Sequence, residues 1–174
     1  MKRTLLMIII AVLILLTALP CGADTDPILL DEPNENVFGC ENDIFIELME
    51  KASIGKNTAG RNAVDNFLYV KTEVLFLADE TWNGIDKNSF KLRHTAEDGT
   101  TEEFPLNFAI STLSNLRNGW AGFGDELFFT SLSTINLVFD VDTTDKEGWT
   151  LLFSPSERGS GKAYCDMEIP LPVK

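Results

Sequence analysis

Histidine and basic side chains are scarce in this 174-residue chain. It holds one His, His94, and 14 Lys and Arg against 27 Asp and Glu, a formal net charge of −13. With a single imidazole and no Cys or His at zinc-ligand spacing, a His/Cys zinc site is excluded. A Ser-His-Asp hydrolase needs His94 beside a serine. No serine stands in a Gly-x-Ser-x-Gly elbow. His94 reads instead as a partly exposed strand residue. The shortage of bases excludes a nucleic-acid-binding surface, because phosphate recognition needs a basic footprint. Internal repeats are absent, and so is any amphipathic helix of useful length. What is abundant is apolar: 44% hydrophobic residues and 12 Phe argue against disorder.

The apolar residues open the chain. Lys2 and Arg3 precede an unbroken apolar run over residues 5–16, and Pro20 then breaks it before Cys21-Gly22-Ala23. This is the three-part pattern of an export signal over residues 1–23. Cleavage after Ala23 gives a secreted protein. Lipidation of Cys21, with Ala18 at −3 and Pro20 at −1, gives a lipid-anchored one. An uncleaved anchor is the third outcome. All three place the rest of the chain outside the cytoplasm, with the membrane reached only through the leader. The leader carries two bases and no acid, so the remainder holds 12 bases against 27 acids, a net charge of −15. Residues 24–36 are polar, carry Pro27 and Pro33, and read as a linker. Residues 37–174 form one domain.

Two cysteines remain after the leader, Cys40 and Cys165. An even count in an exported chain favours a disulfide. Cys40 shares alternation parity with Ile44, Ile46 and Leu48, and Cys165 with Met167 and Ile169. Both therefore face the apolar side of the first and last strands, which in a sandwich often lie side by side. Two separate buried thiols are the alternative.

Period-2 patterning dominates the domain. Leu68, Val70, Thr72, Val74 and Phe76 alternate with Tyr69, Lys71 and Glu73. Ile135, Leu137, Phe139 and Val141 form a second such face, and Trp149, Leu151 and Phe153 a third. Phe90 and Leu92 lead through Asp98-Gly99 into residues 101–108, a hairpin whose Pro105 marks an edge strand or an early end. Residues 51–65 read as a polar loop, residues 109–118 as one short helical turn, and residues 163–169 as the final strand. Seven or eight strands with turns between them imply an antiparallel β-sandwich.

These segments carry a resemblance. The strand over residues 66–77, then Asn88-Ser89-Phe90-Lys91-Leu92 and Glu97-Asp98-Gly99, then Leu137-Val138-Phe139-Asp140-Val141 and Trp149-Thr150-Leu151-Leu152-Phe153 recur in that order. The chain resembles the immunoglobulin-like domains of unknown function in secreted proteins and lipoproteins of Gram-positive bacteria. Their fold is similar to that of the mycobacterial immunoprotective extracellular antigen. The resemblance implies an immunoglobulin-like fold and an extracellular or cell-surface location. It transfers no catalytic residue, because the family has no agreed set.

Three constellations remain as sites. The acidic run Asp140, Asp142, Asp145 and Glu147 offers oxygen ligands for calcium, although it lacks the EF-hand glycine and spacing. Its bland reading is a solvated strand end. Trp120 and Phe123 sit on a glycine-rich loop, and Trp82 lies in a separate turn. Such aromatics either contact a protein or glycan or plug one end of the sandwich. Carboxylate pairs such as Glu102 with Glu103 point to opposite strand faces, so a carboxylate-dependent hydrolase needs acids brought together by the fold. The leading expectation is a non-enzymatic extracellular module that presents loops to a protein or glycan. The hydrolase and a calcium-responsive structural module are the alternatives.

Overall fold

The structure, a computed structural model, describes residues 35–40, 44–77, 86–120, 122–123, 131–156 and 163–174. The leader, Cys21 and most of the linker lie outside the described residues. Two antiparallel sheets face each other across an apolar core. In the first sheet β1 (Val37–Cys40) pairs with β2 (Ile44–Leu48), and β2 pairs with β4 (Arg61–Phe76). β3 (Ser53–Thr58) also pairs with β4, and so does β7 (Ser131–Val141). β7 takes one edge of β4 from Asn66 to Phe76, so β2 and β3 share the other edge in succession. The second sheet runs β6 (Thr101–Pro105), β5 (Phe90–Thr95), β8 (Trp149–Phe153), β9 (Met167–Pro170).

Alternation decides which side chains meet. Leu68, Val70, Thr72, Val74 and Phe76 of β4 are buried, and their neighbours Tyr69, Lys71 and Glu73 are half-exposed. Leu92, Leu151 and Ile169 close the core from the second sheet, and Phe90 stacks on Phe153 at 4.7 Å. The expected antiparallel sandwich is therefore present. β6 is an edge strand that ends at Pro105, as its proline requires.

Three expectations are corrected. Residues 51–65 are not a loop: β3 and the start of β4 form a hairpin, which brings the described strands to nine. Its turn, Ala59-Gly60, has positive φ at both residues (46° and 71°), the condition for a type I′ turn. The tip is wetted, with Asn57, Arg61 and Asn62 exposed, so no apolar alternation betrays it. The final strand is Met167–Pro170 and starts beyond Cys165. Residues 109–118 belong to an 11-residue helix, α1 (Phe108–Asn118).

The buried face of α1 is polar. Ser111 and Asn115 are fully buried, whereas Leu116 is 66% exposed and Phe108 43%. The Asn115 side chain accepts from Asn136 N at 2.7 Å and donates to Asn136 O at 3.2 Å. Ser111 Oγ accepts from Val138 N at 2.9 Å and donates to Val138 O at 3.4 Å. Side chains of α1 thus replace a neighbouring strand along the outer edge of β7, which leaves those peptide groups paired.

Candidate functional site

The site begins at an interruption between β2 and β3. Leu48 stands opposite Thr72, and Ser53 opposite Tyr69, so four residues, 49–52, face two, Val70 and Lys71. The extra length loops away from β4 and needs other partners for its peptides. Ala52 N donates to Pro172 O at 2.8 Å, and Lys174 N donates to Ala52 O at 2.9 Å. The C-terminal residues therefore run alongside the interruption, and Lys174 Nζ reaches Glu50 at 2.9 Å.

Trp120 arrives from the other side. Gly119 takes φ 68° and ends α1. Its N–H donates to Leu116 O at 3.3 Å, and Trp120 N donates to Asn115 O at 3.0 Å. This is a Schellman motif, which turns the chain back at a fixed angle. It sets the half-buried Trp120 beside the outer face of the first sheet, with Lys71 Nζ 5.1 Å from its ring centroid. Glu50, Lys51, Ser53, Tyr69, Lys71, Trp120 and Asn136 line a cleft of about 240 Å³.

Charge in this cleft departs from that of the whole chain. The Lys174 hydrogen bond, and then its charge, hold the Glu50 carboxyl below its ordinary value of 4.5, with Lys71 adding to the effect. Among the described residues Lys51 and Lys71 have no carboxylate within ion-pair distance. The next row along the sheet, Glu47 opposite Glu73, returns to negative charge.

The sequence-derived candidates separate. Phe123 is half-buried and turns inward, edge-on to Phe90 at 6.4 Å and against Phe108 at 5.7 Å. It plugs the core, and Trp120 does not join it there. Trp82 lies outside the described residues. The acidic run divides between two clefts. Asp140 and Asp142 line one of about 350 Å³ with Asp65 and Glu102. Asp145 and Glu147 line another with Glu97, Asp98 and His94. Asp140 accepts from Asn107 Nδ2 at 2.8 Å, which ties β7 to the start of α1. Among the described residues no three His, Cys, Asp or Glu side chains are grouped to hold a metal ion.

His94 is buried rather than partly exposed. Its ring stacks on Trp149 at 4.3 Å, and Nε2 lies 3.9 Å from Asp145 Oδ2. A disulfide joins Cys40 to Cys165, with Cα atoms 6.4 Å apart. It runs from an edge of the first sheet to the residue two places before β9 at the edge of the second.

Sequence reasoning overlooked Glu50, Lys51, Ser53, Tyr69, Lys71 and Asn136 as a group. The signal was present only in part: Tyr69 and Lys71 occupy the outward phase of a strand pattern, but nothing local links them to Trp120.

No family model matches the chain, and no curated protein does. Solved structures similar to it include the YjhA protein from Bacillus subtilis, at 12% identity and a TM-score of 0.52, covering 79% of this chain and 96% of that one. A candidate lipoprotein from Staphylococcus aureus NCTC 8325 aligns at 7% identity and a TM-score of 0.45, covering 80% of this chain and 92% of that one. The likeness to YjhA is one of fold.

Proposed function

We propose that this protein is a non-catalytic, extracytoplasmic, immunoglobulin-like module that binds a protein or glycan through the Trp120 cleft. The observation that carries the reading is Trp120 itself. A large aromatic held half-buried by a helix-ending motif, among polar groups and beneath the Lys71 ammonium, is arranged for contact. The export-type leader and the Cys40–Cys165 disulfide support an oxidising location outside the cytoplasm.

The test compares the protein with Trp120→Ala for saturable binding to envelope fragments of the producing cell. The expected result is retained folding, read by circular dichroism and thermal midpoint, with binding reduced about tenfold or more, the effect of losing an aromatic anchor. Equal binding by both proteins removes the Trp120 cleft as the contact site.

A further inference from the structure

We infer that the Trp120 cleft selects an anionic saccharide, with the sugar ring on the indole and its carboxylate or phosphate drawn to Lys51 and Lys71. This rests on the Trp120 contact proposed above and names its ligand class.

The argument starts from a mismatch of charge. Acids outnumber bases 27 to 14 along the chain. Among the described residues Lys91 pairs with Glu103 and Lys174 with Glu50, and the other lysines are scattered except for two. Lys51 and Lys71 line the same cleft, and no carboxylate lies within 4 Å of either among the described residues. Glu50, the one acid in the lining, is already held by Lys174. With two lysines and one glutamate, the described lining of the cleft is net positive on an acidic protein, and low-dielectric walls focus that field.

Lys71 shows how the charge is stored. Its Nζ lies 5.1 Å from the Trp120 ring centroid, and its charge also acts on Glu50. A cation–π contact at a partly exposed site is weaker than a charge-assisted hydrogen bond to an oxyanion. An arriving carboxylate or phosphate therefore draws Nζ off the indole and uncovers the ring for the ligand. The indole suits the apolar face of a sugar, and Ser53 and Tyr69 supply hydroxyls around it. A volume of about 240 Å³ is small for a ligand pocket and fits one ring rather than a buried oligomer.

An extended acidic peptide is the competing ligand. Strand addition there is blocked at the β7 edge, which α1 covers, and is left to the outer edge of β3, so the peptide is a direct arm of the test.

The test follows the Trp120 indole N–H by NMR during titration with methyl glucuronide, glucose 6-phosphate, neutral methyl glucoside and an acetylated diglutamate peptide. Both acidic sugars are expected to bind about tenfold tighter than the neutral one at low salt, an advantage that shrinks at about 0.5 M sodium chloride. The two acidic sugars separate a carboxylate preference from a phosphate preference. Lys71→Gln removes the cation that covers the ring, so it is expected to tighten neutral-sugar binding or leave it no weaker, and to cut the acidic preference to about twofold or less, as loss of a charge-assisted bond requires. Trp120→Ala is expected to lose all sugar binding. Lys71→Gln changes only an outward side chain and carries the test if Trp120→Ala fails to fold. Equal affinity for acidic and neutral sugars overturns the anion selection while leaving the Trp120 contact intact. Absence of sugar binding, or tighter binding of the peptide, overturns the ligand class even where envelope binding still depends on Trp120.

Discussion

A single residue sets the geometry where the chain enters β8. Gly148 has φ 77°, and a Cβ there would collide with the Thr95 carbonyl oxygen. Thr95 N also donates to Gly148 O at 2.9 Å, so backbone meets backbone with no room for a side chain. Gly148→Ala is therefore expected to destabilise the protein by about 1–3 kcal/mol, through positive φ and the forced displacement of Thr95. Denaturant unfolding checks this: the midpoint falls with an unchanged slope. The turn over residues 143–148 was legible as a turn from its Thr, Asp and Gly content. Its tight contact with Thr95 was not, because 53 positions separate the two in sequence. The same limit applied to His94. Alternation placed it in the phase of Phe90 and Leu92, yet only the pairing His94↔Trp149 shows that an aromatic ring covers it.

At the scale of elements, α1 shows where pattern reading fails. Its buried positions Ser111, Ser114 and Asn115 recur at helical spacing, but they are polar. A search for an apolar stripe passes over them. The stripe is polar because α1 packs against an unpaired strand edge, and such an edge presents peptide groups. Asn115 satisfies two of them, Asn136 N and O. Asn115→Ala leaves both buried without partners, so a loss of about 2 kcal/mol or more is expected. Thermal unfolding measures the loss. Unchanged stability in this variant would show that α1 is held by other contacts. The strands of the core were readable for the opposite reason. β4, β5 and β8 largely bury one face and wet the other, so period 2 is written into their residues.

For the whole molecule, closure matters more than either sheet alone. The chain leaving β6 crosses to β7, where Asn107 N donates to Val138 O at 2.8 Å. The last residues cross back to Ala52, and Cys40–Cys165 joins the sheets at a third place. The disulfide spans 125 positions, a long loop whose closure restricts the unfolded chain. Replacing both cysteines by serine is expected to cost about 4–5 kcal/mol on the chain-entropy account. For a domain of this size that lowers the melting temperature on the order of 10 °C. Calorimetry with and without reductant checks it, and reductant should leave the double variant unchanged.

The scarcity of His and of basic residues, the alternation of the strands and the parity of the two cysteines were properties of the sequence alone. They determined an acidic all-β sandwich, because composition and period act locally. Tertiary structure decided the rest. It turned Phe123 inward and Trp120 outward, split the acidic run between two clefts, and set Lys71 on the Trp120 ring. Each of these depends on contacts between residues far apart in the chain, such as Lys71 and Trp120. The formal charge of −13 describes the whole surface, and only the fold shows where two lysines stand apart from it.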